Sequence, residues 1–144
     1  MLALLPTVAS LFGISFFWFI GAIPLGIIMQ LPPWLAALVT WLAYVAGVLL
    51  IVLAGTPLRT WIIRRFNISL KRNPDTMIWQ IWDRYALPGL ALMAPITVGS
   101  QIGALIGLTM GVPPRRLCIA LALGALVWTL FITWGTLVAF TAAG

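Results

Sequence analysis

Histidine and glutamate are absent from this 144-residue chain, and Asp75 and Asp83 are its only acids. That leaves no imidazole base, no close pair of carboxylates and no base beside Ser10, Ser15 or Ser100, so an enzyme is not expected. The single cysteine, Cys118, rules out a disulfide within the chain and leaves no Cys/His set for a metal. It reads as a small packing residue, and no cofactor is expected. Charge is also scarce: 7% of residues carry one, against roughly 25% in an average soluble domain. A basic region of the kind that attracts nucleic acid is missing too. The net charge is +6, but the bases are few and stand between apolar blocks. They read as topology determinants and as contacts to anionic lipid headgroups. The N-terminus lacks a basic stretch before its apolar run, so no cleavable signal peptide is expected there.

What the chain has is apolar surface. Hydrophobic residues make up 63% of it. A soluble domain of this size leaves about a third of its unfolded surface exposed and could not hide that much. Lipid is the solvent this composition fits, and one membrane domain over residues 1–144 is expected.

The charges divide the chain. Residues 1–58 carry none; 59–85 hold both acids and six of the eight bases; 86–144 carry only Arg115 and Arg116. Residues 34–56 read as a spanning helix of about 34 Å, enough for a ~30 Å hydrocarbon core. Pro32-Pro33 precedes it, Gly55-Thr56-Pro57 is expected to end it, and Trp34 and Trp41 lie toward its start. Residues 117–140 form a second span. Ahead of each span, 1–31 and 86–112 are rich in Gly and Pro and read as broken helices or hairpins.

Positive charge near membrane segments favours the cytoplasmic side. A full crossing by 86–112 would put Arg115 and Arg116 outside, opposite Arg59, Arg64, Arg65, Lys71 and Arg72. A re-entrant hairpin would keep all of them inside, and this rule favours it over a kinked ordinary span. Each arm, of about 12 residues, would reach roughly 18 Å.

A repeat supports the same arrangement. Residues 26–33 read GIIMQLPP and 107–114 read GLTMGVPP, an offset of 107 − 26 = 81. Each copy follows a broken block and precedes a span. With the second unit starting at a cytoplasmic Arg115 and running outward, the two units would be inverted, a transporter pattern with the site near the midplane.

The stretch 59–85 reads as a basic amphipathic cytoplasmic linker, with Arg59, Arg64, Arg65, Lys71 and Arg72 facing lipid headgroups. Arg115 and Arg116 are expected to do the same. Asn73-Pro74-Asp75 reads as a helix start, with Met77, Ile78, Ile81, Trp82 and Tyr85 on one apolar face. Asp83 and Arg84 sit at the mouth of the second broken block, either as a charge site there or as a solvated pair.

No charge lies in the apolar blocks, which weakens any charge-relay mechanism. The polar content there is neutral and densest over 94–103. Pro95 and Gly99 would free backbone groups, and Thr97, Ser100 and Gln101 could line a path. The competing reading is helix packing through Gly99-xxx-Gly103.

Gly21-Ala22-Ile23-Pro24-Leu25-Gly26-Ile27 resembles the GAIPLGI motif of the putative small multi-drug export protein family. Ala94-Pro95 through Gly99, followed by Gly103-Ala104-Leu105-Ile106, resembles its second motif. Trp18 and Ile20 stand where the family often has an acid and an arginine. The family in turn resembles the DedA/VTT superfamily, which implies two opposed re-entrant hairpins and lipid movement.

The expectation is therefore an all-α integral membrane protein of the inner membrane, multi-pass. Two inverted units (1–58 and 86–144), each a hairpin plus a span, flank the linker 59–85. Its function would be to transport or flip an amphipathic, lipid-like or drug-like substrate, anionic ones included. Gly21, Pro24, Gly26, Pro95, Thr97, Gly99, Ser100, Gln101 and Gly103 would line the path at the hairpin tips. Membrane lipids are the expected partners, with a homodimer or another membrane protein. The alternative is a non-transporting small subunit or assembly factor of a larger membrane complex.

Overall fold

The computed structural model describes residues 4–66, 82–97 and 99–144, and these are helical apart from short connections. The order is α1 (Leu4–Phe17), α2 (Phe19–Ile28), α3 (Pro33–Phe66), a π-turn at Trp82–Ala86, α4 (Leu87–Thr97), α5 (Gly99–Thr109) and α6 (Pro114–Ala143). Among the described residues two helices are long and apolar enough to cross a membrane: Pro33–Gly55 within α3 and Pro114–Ala143.

The short helices stop where the sequence breaks them. Trp18 leaves helical geometry between α1 and α2, with φ −133° and ψ 83°. The turn after α2 places Gln30 at φ 63°, and the turn after α5 places Gly111 at φ 82°. Both turns are closed in the same way. Gln30 and Leu31 donate to Ile27 and Gly26 at 2.9 and 3.0 Å; Gly111 and Val112 donate to Leu108 and Gly107 at 3.1 and 3.1 Å. This is the left-handed helix cap in which two successive amides reach back to satisfy the last carbonyls. Pro32-Pro33 and Pro113-Pro114 follow; they cannot continue the old helix and suit the first turn of the next.

One boundary differs from expectation. Gly55-Thr56-Pro57 does not end α3, which continues through Pro57 to Phe66. A proline inside a helix removes one hydrogen bond, here to the Leu53 carbonyl, and membrane helices absorb that loss. The first third of the proposed linker, Arg59 included, is thus a continuation of the span. The helix start at Asn73-Pro74-Asp75, and Lys71, Arg72, Met77, Ile78 and Ile81, lie outside the described residues. Tyr85 is exposed.

The core is built of small residues and branched aliphatics. One cluster joins Leu11, Ala22, Leu31, Ala36 and Val39 from the first three helices and the turn before α3. The larger cluster joins Phe19, Tyr44, Val48, Ala94, Ala104, Leu108, Leu117, Leu121 and Ala125, so five helices share it. Glycines set the closest approaches. Gly26 lies against Leu11 and Ala36, Gly107 against Leu117, and Gly124 against the carbonyl of Ala91. That carbonyl is the one Pro95 leaves without an amide partner, four residues on. Leu, Phe and Trp side chains cover the outer faces of α3 and α6.

Candidate functional site

The two helical hairpins, α1–α2 and α4–α5, meet beside the middle of α3. From the first, Ser15 stands against Thr40, and the ring of Phe16 reaches Gly47. From the second, Ser100 at the start of α5 lies against Gly47 from another side. A side chain at position 47 would collide with the Ser100 hydroxyl, so glycine is what lets the second tip come this close. Gln101 joins the tips directly: its amide nitrogen donates to the Phe16 carbonyl at 2.8 Å. Phe16 is the penultimate residue of α1, so that carbonyl is one the helix itself leaves free.

The buried hydroxyls here are ordered. Ser15 donates its single proton to the Leu11 carbonyl at 2.6 Å. At 3.3 Å from it, Thr40 is therefore the donor in the Ser15–Thr40 pair. Thr40, Tyr44 and Gly47 recur at helical spacing and face the hairpins together. Tyr44 is 1% exposed. Its ring meets Phe19 edge-on, with centroids 5.2 Å apart. Among the described residues no group hydrogen-bonds its hydroxyl.

Ser100 and Gln101 thus come together at a junction, with Gly99 and the end of α4 at Thr97 adjoining in the chain. Pro95 is buried one turn before it. The side chains of Thr97 and Asp83 are outside the described part, and Arg84 is exposed. Other expected path residues pack against side chains of the bundle itself. Gly21 is covered by the indole of Trp18, Gly26 packs at the far end of α2, and Gly103 packs against Ala94 within its own hairpin. Pro24 is half-buried inside α2. Sequence reasoning missed Thr40, Tyr44 and Gly47. The signal was there in their i, i+4, i+7 spacing inside the first span, which reads simply as spanning helix until a partner is known.

Beyond the tips, an open groove of about 610 Å³ runs between the first turns of α3 and the second half of α6. Trp34, Trp41, Trp134, Thr129 and Thr133 are among its walls. Both threonine hydroxyls donate to carbonyls of their own helix at 2.7 Å. At the opposite end, Arg64, Arg65, Arg115 and Arg116 are exposed. A smaller cavity lined by Val52, Gly55, Gly111 and Pro113 puts the α5–α6 turn level with the last turns of the α3 span. Among the described residues no cluster of metal-ligating side chains forms.

A bundle that turns apolar side chains outward and gathers neutral polar groups at its centre is that of a helical membrane protein. The family model described as "Putative small multi-drug export protein" matches residues 19–131, well over half of the chain, and the chain belongs to that family. Comparison with curated proteins and with solved structures gives no match.

Proposed function

We propose that the chain is an inner-membrane transporter that moves an amphipathic, lipid-like or drug-like substrate, anionic ones included, between the tips of two re-entrant hairpins. Membership of an export family supports transport in general. The meeting of the tips at Gly47 is the observation that carries the path. From Pro33 to Gly47 is about 21 Å of helix, within a span of about 34 Å, so the tips would stop near mid-membrane.

The inverted relation rests on recurrence. Each hairpin is followed by the same left-handed cap, the same Pro-Pro and a long helix. The common end of Arg64, Arg65, Arg115 and Arg116 supports a cytoplasmic location for that end. These features also favour kinship with the DedA/VTT superfamily and, with it, a lipid-like cargo. The exposed arginines suit anionic headgroups, and no catalytic step is proposed.

The test is reconstitution. Purified protein in liposomes should move a labelled phospholipid or an amphipathic cation faster than empty vesicles do, and Gln101→Ala should slow it. Movement no faster than through empty vesicles would overturn transport. Wild-type transport by Gln101→Ala would remove the tip junction from the path.

A further inference from the structure

We propose that the Tyr44 hydroxyl is a ligand contact: the hydrogen-bonding point, in the middle of the bundle, for the uncharged polar head of an amphiphile. The inference rests on the transport reading for its biological meaning, but it stands on its own geometry.

A buried hydroxyl without a partner is an anomaly, since nearly all buried polar groups are satisfied. Tyr44 is fully enclosed and its hydroxyl has no partner among the described residues. A phenylalanine would fill the same place without the penalty of an unmet hydrogen bond. Ala94, Ala104 and Ala125, one from each of three helices, share the buried cluster of Tyr44, and none of these side chains can hydrogen-bond its oxygen. Tyr44 follows Thr40 by one turn of α3 and precedes Gly47 by less than one, on the stretch of helix that the two hairpin tips meet. The hairpins supply part of its cover. Phe19 and Ala104 belong to α2 and α5, the return arms of the two hairpins. Parting these arms would uncover Tyr44 along with Ser100.

The site also selects the chemistry of what binds. Ser15, Thr40, Ser100 and Gln101 are neutral, and the described arginines (64, 65, 84, 115 and 116) are exposed at the ends. A compact charge brought to Tyr44 would have no counter-ion, and an unpaired ion inside a membrane bundle is costly. A hydroxyl or amide is not: the phenol can donate to it and accept from it. The part of a cargo seated at Tyr44 is therefore a neutral hydrogen-bonding group on a long chain, and any charge that cargo carries stays toward the arginine-bearing ends.

Thermal unfolding in detergent tests this with probes of one chain length: decanol, decane, decanoate and decylammonium. A bound ligand raises Tm by mass action. Decanol should raise the wild-type Tm more than decane does, and decanoate and decylammonium should not exceed decane. Tyr44→Phe should unfold at or above the wild-type temperature without ligand. Its apparent decanol affinity should drop about five- to tenfold, the loss of one neutral hydrogen bond. Tyr85→Phe, which alters the exposed tyrosine, should behave as wild type. Equal decanol shifts in wild type and Tyr44→Phe would overturn the proposal, as would a wild type that does not distinguish decanol from decane. A Tyr44→Phe protein that fails to fold would also overturn it, because the hydroxyl would then have a structural partner. A Tyr44-dependent shift in a protein that moves nothing in liposomes would leave the contact standing and remove the transport reading alone.

Discussion

Trp41 donates its indole N–H to the carbonyl of Ala122 at 2.9 Å, and the two residues are 81 positions apart. That separation is also the one between the two left-handed caps, so each residue is the other's counterpart. Under the inverted arrangement proposed above, a residue touching its own counterpart would lie on the axis relating the two units, as in a symmetric dimer interface. The bond ties α3 to α6.

Trp41→Phe should therefore loosen the crossing. It removes one hydrogen bond and part of a large aromatic contact, at a cost of about 1–2 kcal/mol. A lower Tm in detergent checks this, and Trp34→Phe, at an exposed position, should leave Tm nearly unchanged.

The two caps predict opposite effects of glycine. Gln30 holds a left-handed backbone that disfavours a side chain, whereas Gly111 holds it freely. Gln30→Gly should raise stability by about 0.5–1 kcal/mol and Gly111→Ala should lower it by about 1 kcal/mol. Denaturation midpoints of the two variants check the signs.

Alanine at Gly124 would put a methyl group into the Ala91 carbonyl, which belongs to backbone and cannot swing away. α4 and α6 would have to part, with a loss of about 1–3 kcal/mol. At Gly13 and Gly135 an added methyl meets nothing within 4 Å. Alanine there should be neutral or gain up to about 1 kcal/mol. Thermal melts of the three variants would settle the order, and a stable Gly124→Ala would contradict the packing.

Much of this was legible in the sequence because membrane helices announce themselves by length and composition. Both spans, both broken blocks and the 81-residue recurrence could be read from the chain. The end of α3 could not, since Gly-Thr-Pro signals a stop in water, where a lost hydrogen bond is an opportunity for solvent. Inside a long apolar helix it is only one missing bond. The site was half legible. Ser100 and Gln101 stand out as polar residues in an apolar block. Thr40 and Tyr44 acquire meaning only from what packs on them, as do the contacts of Gly26 with Leu11 and Ala36 and of Gly103 with Ala94.

Sidedness follows from the basic end. Cysteine at position 115, in a Cys118→Ser background, should react from the same side of the membrane as cysteine at position 64. Impermeant thiol reagents applied to intact cells and to inverted vesicles check this; labelling from opposite sides would dismantle the hairpin arrangement.

The length of α3 has a mechanical consequence. Its 34 residues make a rod of about 51 Å, some 20 Å longer than a hydrocarbon core. If the Trp41 bond acts as a pivot, the Phe66 end is about 37 Å away, and a tilt of about 10° sweeps it through roughly 6 Å. Small rotations at the crossing would become large displacements of a charged lever outside the membrane, where another molecule could grip it or hold it still.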